Sequence, residues 1–195
     1  MDGKNGTLQE QLAAWGAMQQ ENALPAWEAL PDFGLYMDQV VTLLEQYLHF
    51  LPEGSEARSV SAAAINHYVR LKIMPAPVKR KYYRVHLAFL LMILPMKQSI
   101  GIAEIPRILP NDAAEGAVQS AYEDFIAHFR KSARFFNEQV HTLAQQSGAE
   151  GETAVRRLAL ESVLISSFAG VLAGQLIATL PAPAPEEKDK GKNGK

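Results

Sequence analysis

Cysteine is absent from all 195 residues of the chain. Its absence excludes disulfide bonds, thiolate zinc sites and cysteine nucleophiles, and it fits the reducing cytoplasm. The sequence also lacks a glycine-rich phosphate loop, a Gly-x-Ser-x-Gly elbow and an obvious nucleophile–base pair. The first thirty residues include Asp2, Glu10 and Glu21 and have no continuous apolar run, so we expect no cleaved signal peptide. These absences predict a cytoplasmic protein that is not an enzyme.

Side chains arranged to bind a metal are also scarce. The nearest patterns are a lone Glu138-x-x-His141 and the pair Asp124 and His128, one helical turn apart. A carboxylate-bridged metal site needs such pairs from several helices, and the chain has a single Glu-x-x-His. Surface polar residues are the simpler interpretation, so we predict no metal and no other cofactor.

Acidic residues are missing from a long central interval. No Asp or Glu lies between Glu56 and Glu104, and the net charge of −2 therefore combines +8 in this interval with −10 elsewhere. A concentrated positive potential attracts polyanions such as nucleic acid. A solvated basic face without a partner is the alternative. The cations of the interval are Arg58, Arg70, Lys72, Lys79, Arg80, Lys81, Arg84 and Lys97.

Apolar spacing and capping residues predict a mainly helical, all-α fold. Thr7 and Glu10 have the spacing of a capping box, and Ser61 can cap a later helix. Residues 78–82 form either a tight hairpin or an irregular basic loop. An extended apolar strap is predicted over 25–36, and helices over 7–22, 37–50, 62–72, 83–97 and 102–109, followed by two long helices separated by a linker at 148–151.

The last helix is apolar over most of its circumference. From Leu158 to Leu180 it has 23 residues and one charge, Glu161, which matches a membrane span in length. Several polar residues dilute this stretch, and a helix that is apolar all round can also be fully buried. We therefore favour a buried core or dimer helix over a membrane span. The preceding helix carries a heptad-like apolar stripe, so we predict a homodimer through Val118 to Leu180.

Four motifs of the central region together resemble one bacterial family. They are LPDFGLYMDQV (Leu30 to Val40), INHYV (Ile65 to Val69), PAPVKRKYYRVHL (Pro75 to Leu87) and MKQSIGIAEI (Met96 to Ile105). The set is similar to the family catalogued as domain of unknown function 1836, which itself resembles MerR-type winged helix-turn-helix regulators. The resemblance covers residues 30–109, under half of the chain.

This resemblance implies a transcription regulator that binds double-stranded DNA. It implies a recognition helix around Asn66 in the major groove and a basic turn as the wing. The chain would then comprise an N-terminal extension (1–29), a MerR-like helix-turn-helix domain (30–111), a helical hairpin module (112–180) and a disordered tail (181–195). A helical protein-interaction module that keeps the fold without specific DNA binding is the alternative function.

The resemblance also names the residues that would contact DNA. Alanines at 62–64 leave Asn66, His67 or Arg70 to read base edges. Of Tyr82 and Tyr83, one is expected to anchor the wing to the core. Tyr83 stands where the family commonly has Ser or Thr, so the next helix lacks its normal N-cap. The implied DNA-binding residues are Ser61, Asn66, His67, Arg70, Lys72, Lys79, Arg80, Lys81, Tyr82 and Arg84.

Overall fold

The computed structural model of the chain describes residues 7–21, 24–51, 60–110, 112–146 and 152–181. Two short 3-10 helices, Trp27–Ala29 and Ile105–Arg107, lie in the connections. In the described residues there is no β-strand, and extended backbone pairs in isolated bridges. The prediction of a mainly helical fold is confirmed. The α-helices are α1 (Leu8–Glu21), α2 (Met37–Tyr47), α3 (Ala62–Arg70), α4 (Arg84–Met96), α5 (Glu115–Gln146) and α6 (Glu152–Thr179).

Capping residues start α1 and α3 where the sequence predicts. The Thr7 N–H donates to Glu10 Oε2 over 2.8 Å, and the Glu10 N–H donates to Thr7 Oγ1 over 3.2 Å. This reciprocal pair is the predicted capping box. At α3, Ser61 Oγ accepts a hydrogen bond from the Ala64 N–H at 3.2 Å. Each bond satisfies an N–H that the first turn of a helix leaves unpaired.

Helix α4 is the centre of the hydrophobic core. Nine consecutive residues, His86 to Leu94, are buried, so this helix is enclosed on all sides. Helices α2 and α5 pack against it. The first turns of α5 contribute Val118, Tyr122 and Ile126 to the same apolar cluster. The core is therefore continuous across residue 111, where the sequence predicts the boundary of the helix-turn-helix domain.

The described part of segment 1–29 is tied to α5. Helix α1 lies along α5, and the ring of Trp15 meets that of Phe136 edge-on with centroids 5.8 Å apart. Farther along the chain, the Tyr122 hydroxyl donates to the Pro25 carbonyl oxygen over 2.9 Å. Trp27 is buried, with its ring centroid 6.1 Å from that of Tyr122. The predicted strap therefore packs on the domain.

The segment 102–109 differs from its prediction. It contains the 3-10 helix Ile105–Arg107 instead of a short α-helix. Proline disfavours α-helical backbone in the residue before it; Pro106 lies within the 3-10 helix and Pro110 follows the segment. Pro106 therefore interrupts the segment, and neither part is long enough for a stable α-helix. Ile105 and Leu109 still face the core.

Helix α6 is largely exposed, so the core alternative of its prediction is wrong, whereas the dimer alternative stays a prediction. Its most apolar window of 18 residues is 6% buried. Its buried side chains, Ala154 and Ile177, lie near its two ends. Near its C-terminal end, an Arg107 guanidinium nitrogen donates to the Leu180 carbonyl oxygen over 2.5 Å. The predicted linker at 148–151, and the predicted tail beyond residue 181, lie outside the described residues.

Candidate nucleic-acid interface

Helix α3 has one face in the core and the other in solvent. Ile65 and Tyr68, three positions apart, are buried on the inner face. Asn66, His67 and Arg70 are exposed on the outer face. The three candidate base-reading residues therefore share an accessible surface, and their helix is held in place by apolar packing behind them.

Lys72, two residues after the end of α3, has a left-handed backbone conformation with φ of 55°. The Lys72 N–H donates to the Val69 carbonyl over 3.0 Å, and the Ile73 N–H donates to the Tyr68 carbonyl over 3.0 Å. These two bonds form a Schellman motif, in which glycine is the usual left-handed residue. The buried side chains of Ile73 and Tyr68 belong to the same core cluster behind the motif. The end of α3 is thus fixed by its own backbone, with a lysine at the glycine position.

The segment after Pro77 is a two-residue hairpin, which decides between the two alternatives for residues 78–82. The Val78 N–H donates to the Lys81 carbonyl over 3.0 Å, and the Lys81 N–H donates back to the Val78 carbonyl over 2.9 Å. We call residues Val78–Lys81 the basic hairpin. Its two central residues, Lys79 and Arg80, have φ of 50° and 64°. Positive φ at both central positions is the type I′ turn, which favours Asn-Gly.

Tyr82 anchors the basic hairpin to the core. Its backbone pairs with Leu35 of the strap through two hydrogen bonds of 2.8 Å. Its side chain is 3% exposed, with its ring edge-on to His86 at 5.5 Å. The side chain is therefore not available to DNA, contrary to the prediction of Tyr82 as a contact residue. The same burial raises the pKa of the Tyr82 phenol. Tyr82, and not Tyr83, is thus the buried member of the pair.

The side chains of Arg84 and Lys81 both make cation–π contacts with aromatic rings. Arg84 Nε donates to the Leu30 carbonyl over 3.0 Å, and its guanidinium lies 5.6 Å from the centroid of the Trp27 ring. Lys81 Nζ lies 5.5 Å from the centroid of the Tyr36 ring. Both side chains are half-buried. These cations tie the basic hairpin and the start of α4 to the strap, and they have less freedom to contact a ligand than the sequence alone suggests.

His86 caps α4, although the sequence predicts no normal N-cap at Tyr83. Its Nδ1 accepts a hydrogen bond from the Tyr83 N–H at 2.9 Å, so its Nε2 carries the proton in the neutral ring. That Nε2 donates to the Ala76 carbonyl oxygen over 3.1 Å. The imidazole therefore holds together the start of α4 and the turn before the basic hairpin. The sequence signal for this role is a polar residue at the third helical position.

Arg70, Lys79 and Arg80 are the cations most open to a ligand. All three are exposed, and none forms an ion pair with a carboxylate in the described parts of the chain. Ser61 is exposed too, but its hydroxyl is engaged as the α3 cap. The geometry thus separates the predicted site residues into a solvent-facing group and a group that holds the scaffold.

No curated protein and no solved structure matches the chain. The model of one family, the domain of unknown function DUF1836, matches residues 25–125, just over half of the chain. The chain belongs to the DUF1836 family. The DUF1836 region begins in the strap and includes α2, α3, the basic hairpin and α4. It ends within α5 at residue 125. It therefore includes the core residues Val118 and Tyr122 and stops one residue before Ile126. Helices α1 and α6 lie outside the DUF1836 region.

Proposed function

We propose that this DUF1836 protein binds double-stranded DNA to regulate transcription, through a MerR-like winged helix-turn-helix arrangement. Helix α3 is the recognition helix of this proposal, and the basic hairpin is the wing. The observation that carries the proposal is the identity of the left-handed residues. In the described residues, the non-glycine positions with positive φ are Lys72, Lys79 and Arg80. All three are cations.

Lysine and arginine are not the residues that a left-handed backbone conformation favours. A left-handed conformation costs roughly 1–2 kcal/mol for most L-residues, whereas glycine adopts it without that cost. Glycine or asparagine would therefore stabilise both the Schellman motif and the type I′ turn. Strained backbone is most often retained where it serves a function. Outward-facing positive charge at the tip of a hairpin is suited to contact with phosphate.

The proposal assigns different tasks to α3 and to the basic hairpin. Lys79 and Arg80 would bind phosphates, which supplies affinity for any sequence and positions the protein on the duplex. Asn66 would read a base edge, because an Asn amide pairs with adenine N6 and N7. Arg70, one turn later on the same exposed face, can pair with guanine or with a phosphate. His67 extends this surface.

Anisotropy with labelled duplex DNA over a range of salt concentrations tests the phosphate contacts. Affinity for random-sequence DNA should fall linearly with salt on logarithmic axes. Replacing Lys79 and Arg80 together by Ala should lower the slope by about 1.8 if both contact phosphate, and should do so for every sequence. A matched control replaces the exposed pair Lys131 and Arg134 of α5, and should leave the slope unchanged. Wild-type protein without salt-dependent affinity would refute the proposal.

A second variant tests sequence reading. Asn66→Ala should leave the salt slope unchanged but cost about 1–3 kcal/mol at a site selected from a random DNA library. Discrimination should be lost at one base pair of that site. If the variant selects and binds the same sequences as the wild type, α3 is not the recognition helix. The variant of Lys79 and Arg80 should thus change the salt slope, whereas Asn66→Ala should change the sequence preference. A basic surface without a recognition helix would not produce this difference.

The alternative function, a protein-interaction module, is favoured by the exposed apolar surface outside the DUF1836 region. Phe135 and Phe136 of α5 are 63% and 49% exposed.

A homodimer could cover these two phenylalanines, but Val118 and Tyr122 at the start of the predicted stripe fill the chain's own core. A homodimer would therefore have to form through the later part of α5 and through α6. A monomer at micromolar concentration in light scattering would contradict the dimer, whereas a two-fold dimer should require half-sites about one DNA turn apart.

A further inference from the structure

Helix α6 is exposed around its whole circumference in its central turns, and apolar side chains cover most of that surface. All residues from 162 to 169 are exposed, and more than two turns of helix are therefore open on every side. Within them, Val163, Ile165 and Phe168 are 65%, 55% and 74% exposed. Two-fold packing of a second copy covers one face of a helix and leaves the opposite face in water. An apolar environment on all sides is what the interior of a lipid bilayer provides.

We infer that α6 inserts into a lipid bilayer and tethers the protein to a membrane. Insertion breaks the bond between Arg107 and the Leu180 carbonyl and moves Ile177 from its buried position into lipid. The stretch from Leu158 to Leu180 has 23 residues. At 1.5 Å per residue it is about 35 Å long, which is enough to cross a hydrocarbon core of about 30 Å with some tilt. A buried core helix can have the same composition, but α6 is 6% buried in its most apolar window. A secretory signal precedes the domain that it exports, whereas α6 follows the DUF1836 region.

Two hydroxyls of α6, those of Ser162 and Thr179, are satisfied within the helix itself. The Ser162 hydroxyl donates to the Leu158 carbonyl over 2.8 Å, and the Thr179 hydroxyl donates to the Leu176 carbonyl over 2.6 Å. Bonds of this kind let hydroxyls enter a bilayer without an unpaired donor. Glu161 accepts a bond of 3.2 Å from Arg157 Nε, at the N-terminal edge of the apolar stretch. The arginine can reach the headgroups while it neutralises the carboxylate.

No packing contact in the monomer requires the two glycines of α6. Gly170 and Gly174 are one turn apart, and a Cβ at either position would meet nothing within 4 Å. Glycine inside a water-exposed helix costs about 1 kcal/mol relative to alanine. Glycine is more frequent in transmembrane helices than in soluble ones, where its small size lets helices approach closely. The composition of α6 thus fits a bilayer better than it fits water.

Flotation with liposomes of phosphatidylcholine and phosphatidylglycerol tests the inference with the full chain. The protein should float with the vesicles and stay bound through high salt and an alkaline wash. Phe168→Arg should reduce partitioning into vesicles by about 100-fold, because an arginine at the centre of a membrane helix strongly disfavours insertion. Phe135→Arg is the matched control, since this phenylalanine is also exposed but lies on α5, and it should float like the wild type.

Three outcomes would overturn the inference. The first is a wild-type protein that stays at the bottom of the gradient, whether dissolved or aggregated. The second is equal behaviour of the two arginine variants. The third is a detergent-free soluble oligomer that Phe168→Arg dissociates, which would identify a second copy of the chain as the cover of α6. None of these depends on the DNA measurements, because those use variants of α3 and of the basic hairpin.

Discussion

The basic hairpin should become more stable when its two central cations are replaced by residues that favour left-handed backbone. Lys79 and Arg80 occupy the two central positions of a type I′ turn, with φ of 50° and 64°. The change with the clearest expectation is Lys79→Asn combined with Arg80→Gly, since Asn-Gly is the pair that this turn favours. Neither side chain forms an ion pair with a described carboxylate, so no such interaction is lost with the charges.

The expected gain in stability follows from the two backbone conformations. Each left-handed residue costs roughly 1–2 kcal/mol, and asparagine relieves part of this cost while glycine relieves all of it. The greater freedom of glycine in the unfolded chain takes back about 0.5–1 kcal/mol. The free energy of unfolding should therefore rise by about 1 kcal/mol, which corresponds to a melting temperature about 2–4 °C higher for a chain of this size.

The same double variant should bind DNA less well. Two phosphate contacts would be lost, so the slope of log affinity against log salt should fall by about 1.8. Thermal unfolding followed by circular dichroism measures the first effect, and anisotropy over a salt series measures the second. A charge-conserving control, Lys79→Arg with Arg80→Lys, keeps both the strain and the cations, and it should change neither quantity.

Opposite signs for stability and binding are the essential result. If the Asn-Gly variant is more stable but keeps the wild-type salt slope, the tip of the basic hairpin does not contact phosphate. If it is less stable than the wild type, the two cations support the fold, and their left-handed conformation is not evidence for a ligand. Either result would refute the reasoning from which the proposed function follows.

Three further predictions concern the scaffold. Gly16→Ala should lower the free energy of unfolding in urea by about 1–3 kcal/mol, because its Cβ would collide with Asn137 Oδ1; adding Asn137→Ala should recover most of the loss. His86→Ala should cost about 1–3 kcal/mol in the same assay, since it removes the acceptor for the Tyr83 N–H and the donor to the Ala76 carbonyl. Burial, aided by the nearby Tyr47, raises the pKa of Tyr122 well above 10.0. The stability that depends on a neutral Tyr122 is present below pH 10 and should be lost as the pH rises beyond it, less steeply in Tyr122→Phe.

Local features of the fold could be predicted from the sequence because neighbouring residues determine them. The Thr7–Glu10 capping box and the Ser61 cap each join residues three positions apart, and both form as predicted. The inner and outer faces of α3 follow from the 3.6-residue period, which places Ile65 inside and Asn66 outside. Concentration of positive charge in one interval is likewise a property of the sequence alone.

Only the tertiary structure decided which residues of the basic interval are available. Arg84 bonds to the carbonyl of Leu30, 54 positions earlier, and Tyr82 pairs with Leu35 of the same strap. No local pattern reports such partners, so the sequence leaves open which of Tyr82 and Tyr83 is the anchor and does not distinguish Arg84 from its exposed neighbours. The left-handed backbone of Lys79 and Arg80 has no signal in the sequence, since glycine or asparagine is the usual signal of such a turn.

The same distinction explains α6. Its sequence determines that the helix is apolar over most of its circumference, and therefore that water is a poor environment for it. Composition cannot say which apolar environment the helix has, because a protein core and a bilayer favour the same side chains. The core formed by α4 with α2 and the first turns of α5 leaves α6 outside, with Phe168 74% exposed. That exclusion depends on how the other helices pack, which only the three-dimensional structure determines.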